Sequence, residues 1–295
     1  MKTVWISVIT LFLTIIALEG CSDSNDKNTA SGNRIISLAP HITEIIYTLH
    51  AQDQLVAVTD FCRYPEEAAS KEKIGGLLDP NIEKIIMLKP TLIFGLPSHQ
   101  KLARELSKYG LTVTMMPDEN IHDVLFSIKK IGELIDRNHQ ATQLINHMNT
   151  LLDSLSEHSV SRSMPAALLI GRTKGTLTNM TVAGSGTYID DLWHIAGGEN
   201  SYKDLPGRYG TINTESLLLR DPEVIIEFDM NRESGIYREN PGSEWNFLKN
   251  LQAVRKKMIF VIGGDYTLIP GPRLVILAKD FSKIIDIVRS DQKSP

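Results

Sequence analysis

Two cysteines in 295 residues leave almost nothing for disulfide chemistry. Cys62, in "DFCRYP", has no nearby histidine to activate it as a nucleophile and reads as a small buried apolar side chain. Basic runs are missing too. The formal net charge is -4, and no cluster of Lys and Arg makes a footprint for nucleic acid. The eight histidines are scattered, so no His-rich metal loop exists. "HITE" spaces His41 and Glu44 three apart, but a bare metal ion wants more ligands than that. Catalytic motifs are also absent. Ser185 in "AGSGTY" lacks the strand and helix context of a nucleophile elbow. The same stretch lacks the third glycine of a dinucleotide fingerprint. Asp190 and Asp191 occupy adjacent helical positions and do not face each other as an acid pair. These absences argue against an enzyme.

The one long apolar run is "VWISVITLFLTIIAL", Val4 to Leu18, after the positive Lys2. It is short for a membrane span and reads as a signal-peptide core. "LEGC" then resembles a lipobox, with small Gly20 before Cys21 and an unusual Glu19. Residues 1–20 are therefore expected to be a lipoprotein signal peptide, with Cys21 lipidated. The polar "SDSNDKNTASGN" makes residues 21–33 a flexible tether. The rest of the chain is expected outside the cytoplasm, held to a membrane surface through Cys21.

What is present is an ordinary globular composition, 42% apolar and 22% charged, long enough for two lobes. Short apolar strands alternate with helical patterns, which predicts an α/β fold. "RIISL", "QLVAV", "TLIFG" and "LTVTMM" read as strands of a first lobe over 34–118. "AALLIG", "EVIIEF" and "MIFVIGG" read as strands of a second over 161–295, closed by a helix from Pro272 to Ser290. Between them, Ile121 to His158 holds no proline, and apolar residues recur near helical spacing. Residues 119–160 are expected to form one long rigid helix, on the order of 50 Å, bracing the two lobes; the alternative is two helices broken near Gly132 or Asn138.

One pattern is written twice. "NIEKIIMLKPTLIF" from Asn81 and "NTESLLLRDPEVII" from Asn213 align without a gap. Glu83 meets Glu215, Pro90 meets Pro222, and Leu92-Ile93 meets Val224-Ile225. Asp79 is the expected cap of the first helix with Pro80 at its first position; Thr211 or Asn213 is the expected cap of the second. Each carboxylate then falls in the first turn, where the helix dipole alone favours it. A dipole gives no reason for the same position in both lobes. A partner with two equivalent basic sites does.

"RIISLAPHITEIIYTL", "VAVTDFCRYPEEA", "IGGLLDPNIEKIIMLKPTLIF", "YIDDLWHIAGGENSY" and "IPGPRLVILAKDF" together resemble successive blocks of the helical-backbone class of substrate-binding proteins. These serve ABC importers of cobalamin, ferric siderophores and haem, and the vitamin B12-binding family is the nearest in pattern. The resemblance runs from Arg34 to about Val288. It implies two α/β lobes with a ligand cleft between them and no resident cofactor. The transported ligand would be a corrinoid, or an iron chelate or haem. The partner would be a permease dimer with its ATPase, and the protein a monomer. It also implies that Glu83 and Glu215 dock on permease arginines.

In open α/β sheets, ligands bind beyond the carboxyl ends of the strands. That places candidate ligand contacts at Pro40, His41, Phe61, Pro97 and His99 in the first lobe. In the second lobe it places them at Arg172, Asp229, Asp265 and Tyr266. Tyr209 and Tyr266 match aromatic positions of the cobalamin binder, and flat rings suit a corrin or porphyrin face. His99 is a candidate axial ligand to haem iron or a hydrogen-bonding loop residue. Arg172, Arg208 and Arg232 suit the carboxylates or catecholates of a siderophore, or are solvated surface charges. The sequence alone does not separate corrinoid from siderophore.

Overall fold

The structure, a computed structural model, describes residues 32–157, 163–239 and 244–293. The signal peptide, Cys21 and nearly all of the tether lie outside the described residues. From Asn33 onward the chain forms one compact unit.

The first sheet is β1 (Ile35–Ser37), β2 (Leu55–Val58), β3 (Glu72–Lys73), β4 (Leu92–Gly95) and β5 (Val113–Met115), in spatial order β3-β2-β1-β4-β5. Every pairing in it is parallel. Its helices are α1 (Pro40–Thr48), α2 (Ile82–Met87) and α3 (Gln100–Ser107). Because β1 and β4 are covered on both faces, they read as continuous apolar runs. Ile36 and Ile93 face one core cluster, while Ile35 and Phe94 face another.

After α4 (Ile121–Leu134) and α5 (Asn138–Glu157) comes the second sheet. Its strands are β6 (Pro165–Gly171), β7 (Met180–Ala183), β8 (Glu199–Asn200), β9 (Tyr209–Ile212), β10 (Val224–Asp229), β11 (Gly235–Arg238) and β12 (Ile259–Gly263). The order is β11-β12-β10-β6-β7-β9, with β8 beside β6. The centre is parallel, and β7, β9 and β11 run antiparallel to their neighbours. The sequence reading did not anticipate β3, β7, β8, β9 or β11. They are two to four residues long, and all but the apolar β7 are largely polar or glycine-containing, so none stands out as an apolar run. Helices α6 (Tyr188–Ile195), α7 (Thr214–Arg220), α8 (Gln252–Arg255) and α9 (Leu274–Lys293) complete the lobe. Leu274 opens α9 two residues after Pro272, the predicted start.

The expected single long helix is instead two, as in the alternative reading, with the break between Gly132 and Asn138. The α4 helix ends at Leu134, Asp136 turns left-handed at φ 57°, and α5 restarts at Asn138. Apolar periodicity alone hides this break, because one left-handed residue changes direction without disturbing the pattern. Gly132 marks the joint: a Cβ there would sit 2.5 Å from the Ala141 Cβ, so only glycine lets the helices approach so closely. The N-terminus of α4 is held by Asn120, whose side chain accepts from the Asp123 N–H, and by Asp191 of α6, which accepts from the Ile121 N–H at 3.1 Å.

The core does not stop at the lobe boundary. One buried cluster joins Ile42 and Ile46 of α1 through Val124, Ile128 and Ile131 of α4 and Met148 of α5. It continues to Trp193 of α6 and Phe281 of α9. The Trp193 and Phe281 rings meet edge to face, 5.3 Å between centroids. Cys62 is fully buried beside the Thr59 hydroxyl at 3.2 Å, and burial pushes its thiol pKa up, as suits a packing residue.

Candidate functional site

The loops beyond the carboxyl ends of both sheets converge on one open cavity of about 430 Å³. From the first sheet come Ala39, Pro40, His41 and Glu44 after β1, Phe61, Arg63 and Tyr64 after β2, Leu96 after β4, and Asp118 after β5. From the second come Met230 and Asn231 after β10, and Asp265, Leu268 and Pro270 after β12. A smaller recess of about 280 Å³ continues along Asp118, Glu119, Tyr188 and Tyr209, and shares Asp118, Leu268 and Pro270 with the first. The cleft thus has apolar walls, with exposed Phe61 and Tyr64 rings, and a few polar groups.

Its floor is an ion cluster that crosses the lobes. Arg273, just before α9, donates from Nε and Nη2 to the two oxygens of Glu44 on α1, at 2.9 and 2.6 Å. Its Nη1 donates to Asp265 Oδ1 at 2.7 Å. The guanidinium also stacks on the Tyr64 ring, 3.7 Å from the centroid. Burial opposes the Arg273 charge, but the two carboxylates outweigh it, and the guanidinium stays firmly protonated. Nearby, Asp118 is pushed up to about 6, first by burial and then by the charges of Glu119 and Asp123. His41 is buried with no partner for Nε2, and burial lowers its pKa to about 3, so the ring is neutral.

The candidate contacts divide. Pro40, His41, Phe61 and Asp265 line the cavity, and Tyr209 lines its continuation. Pro97, His99, Arg172, Asp229 and Tyr266 do not. Pro97 is exposed, and of its neighbours Leu96 lines the cavity. His99 is buried with both ring nitrogens engaged. Nδ1 accepts from the Leu96 N–H at 2.9 Å, and Nε2 donates to the Leu77 carbonyl at 2.7 Å. It therefore has no nitrogen left for a haem iron. Tyr266 is buried and donates to Asp280 at 2.6 Å. Arg172 and Asp229 face an adjoining recess in the second lobe, which shares Asn231 with the cavity and where Arg172 donates to Glu227 and Glu244 at 2.9 and 3.1 Å. The strand-end rule selects loops, and a loop residue turns toward the core as readily as toward the cleft. The His41–Glu44 pairing for a metal fails because both Glu44 oxygens belong to Arg273.

Glu44 as an anchor, Arg63, Tyr64, Asp118, Asn231 and Arg273 were not singled out from the sequence. Asp118 closes the first lobe just after β5, so the strand-end rule reaches it, but the sequence candidates come only from the loops after the first three predicted strands.

The duplicated pattern is structurally equivalent in the two lobes. The caps are Asn81, in place of the expected Asp79, and Asn213, one of the two expected; each accepts from the backbone N–H three residues on, and α2 starts at Ile82, past Pro80. Glu83 and Glu215 thus share one helical position, and both are exposed. Neither has a hydrogen-bond or ion-pair partner among the described residues. Lys89 and Asp221 are both left-handed, at φ 45° and 41°, before the paired prolines. Each helix feeds the start of the following strand, β4 or β10, so its own N-terminus lies at the carboxyl edge of its sheet, the edge that carries the cleft.

A family model for periplasmic binding proteins matches residues 35–266. An uncharacterized ABC transporter substrate-binding lipoprotein, YvrC of Bacillus subtilis (strain 168), is 25% identical over 265 residues, covering 88% of this chain and 82% of its own. The vitamin B12-binding protein of Vibrio vulnificus (strain YJ016) is 26% identical over 245 residues, covering 82% of this chain and 86% of its own. Among solved structures, a possible iron-binding (periplasmic solute-binding) protein from Staphylococcus epidermidis ATCC 12228 superposes with a TM-score of 0.72 at 26% identity. It covers 86% of this chain and 98% of its own.

Proposed function

We propose, since this chain belongs to the periplasmic binding protein family, that its cleft captures a corrinoid and delivers it to an ABC importer. Substrate-binding proteins of such importers work with a membrane permease and an ATPase. Among the described residues no helix is long and apolar enough to cross a membrane. Attachment would come from a lipid on Cys21.

The observation that carries the ligand class is the state of the cleft's cations. Arg273 is committed to Glu44 and Asp265, and Arg208 to Glu119 at 2.8 Å. Among the described residues lining the cavity and its continuation along Asp118 and Tyr209, the only lysine or arginine is Arg63, and it has no such partner. Haem propionates and ferric catecholates need several free cations to leave water. A corrinoid carries neutral carboxamides around a broad apolar ring system. Phe61 and Tyr64 suit the ring, and Asp118, Asn231 and Asp265 suit amide N–H groups. The Vibrio vulnificus relative, named as a vitamin B12-binding protein, points the same way.

The test is thermal denaturation of the purified protein with cyanocobalamin, cobinamide, haemin, a ferric hydroxamate and a ferric catecholate. A ligand at a hundred times its Kd adds about 2.7 kcal/mol of stability. Stabilisation by either corrinoid, with none from haemin or the catecholate, is expected. A response confined to haemin or an iron chelate would overturn the ligand assignment.

We further propose that Glu83 and Glu215 dock on two basic sites of a permease dimer. Replacing both with Ala should leave corrinoid binding intact and abolish transport; unchanged transport would end the docking role.

A further inference from the structure

Large apolar side chains exposed on this protein are not spread evenly. The four most exposed among the described residues are Leu219 and Phe247 at 87%, Leu78 at 79% and Met87 at 78%. Two of them sit at each glutamate helix. Met87 lies four residues after Glu83 and Leu219 four residues after Glu215, so each apolar side chain shares a helix face with its carboxylate. The duplication pattern places Met87 and Leu219 in the same register, each three residues before a proline, Pro90 or Pro222. Leu78 lies three residues before the Asn81 cap of α2. Phe247 lines a shallow recess with Leu218 of α7.

We propose that Met87 and Leu219, flanked by Leu78 and Phe247, are the apolar half of a two-point docking surface whose acidic half is Glu83 and Glu215. The occupant is a two-fold protein that offers, twice, a cation beside an apolar socket: the permease dimer of the importer. Two features select it. The carboxylates are exposed and unpartnered, which asks for a cation. The same acid-plus-apolar pair repeats in both lobes, which matches a partner with two equal faces. Packing does not explain leaving such large side chains in water twice at one register, because burial would normally claim them. The inference rests on the docking reading above and extends it from charge to apolar contact.

The two halves differ in how salt affects them. Charge contacts are screened by salt; apolar contacts are not. The experiment measures binding of the full-length protein to its importer's permease–ATPase complex in lipid nanodiscs, across a salt series. Met87→Ser and Leu219→Ser should each weaken docking about tenfold at every salt concentration, and together more than either alone. Glu83→Ala with Glu215→Ala should flatten the salt dependence. Phe126→Ser, an exposed apolar site on α4, should dock as wild type. Stabilisation by cyanocobalamin should be unchanged in all of these variants. If the serine variants dock as wild type while the alanine pair does not, the apolar half is refuted and the docking glutamates stand. If the alanine pair also docks as wild type, both readings fall. Weakening by Phe126→Ser equal to that of the serine variants would also overturn the proposal, because exposed apolar area anywhere would then suffice.

Discussion

Arg273→Met should be the most damaging single change in the cleft that leaves the backbone rules untouched. The Glu44 side chain is only 2% exposed and that of Arg273 13%. Removing the guanidinium strands a carboxylate in the core, and breaking a buried pair from one side costs about 3–5 kcal/mol. Loss of the stack on Tyr64 adds on the order of 0.5–2 kcal/mol. Asp265 is 40% exposed and recovers hydration, so its own loss is small. The stranded Glu44 has a second way out, which is to take up a proton. That costs about 1.4 kcal/mol for each unit by which the pH exceeds its pKa. Burial raises the pKa of this carboxyl in the wild type, and the Arg273 hydrogen bonds oppose the rise. Without Arg273 only the upward push remains. The folded form then binds more protons than the unfolded form, so Arg273→Met should regain stability as the pH falls from 7 toward 5. The double variant Glu44→Leu with Arg273→Met removes the stranded charge, and should be at least about 1.5 kcal/mol more stable than Arg273→Met alone. Urea denaturation at pH 7 and pH 5 measures all three. A loss under about 1 kcal/mol for Arg273→Met, or a double variant no better than the single, would refute the argument that this bridge is buried and mutually dependent.

Asp118 offers a second pH test. Its pKa of about 6 lies above the ordinary aspartate value of 3.8, so the folded state holds the proton longer and stability is lost as pH rises from about 4 through 6. Asp118→Asn should therefore be on the order of 1–3 kcal/mol more stable than wild type at pH 7 and nearly equal at pH 3.5, as read by melting curves across pH. Gly132→Ala places a methyl 2.5 Å from the Ala141 Cβ. It should destabilise by about 1–3 kcal/mol in urea despite alanine's better helix propensity, whereas a gain in stability would mean the joint between α4 and α5 is loosely packed. Because one core cluster runs through both lobes and α4, α5 and α9, ligand should close the cleft only slightly. X-ray scattering with and without cyanocobalamin checks this, and a large drop in radius of gyration would contradict it.

Much of this protein was decided locally. The alternation of apolar runs and helical patterns was enough for two α/β lobes, because a strand buried on both faces has to be continuously apolar. The repeat of Glu83 and Glu215 was visible because it is a statement about register, and register survives in the bare sequence.

What needed the tertiary structure was everything that joins distant residues or depends on which way a side chain turns. Glu44 and Arg273 are 229 positions apart, and nothing in "HITE" or "IPGPR" announces that they meet. His99 and Tyr266 stand in the right loops yet turn inward, because neighbouring carbonyl, amide and carboxylate groups give them better partners than the cleft does. Gly132 and Asn138 mark where a break can fall, but the bend is one dihedral angle at Asp136, and only the structure decides between a continuous and a broken helix. Local propensity acts between neighbours in the chain and can be read there, whereas a cleft is made of contacts across it.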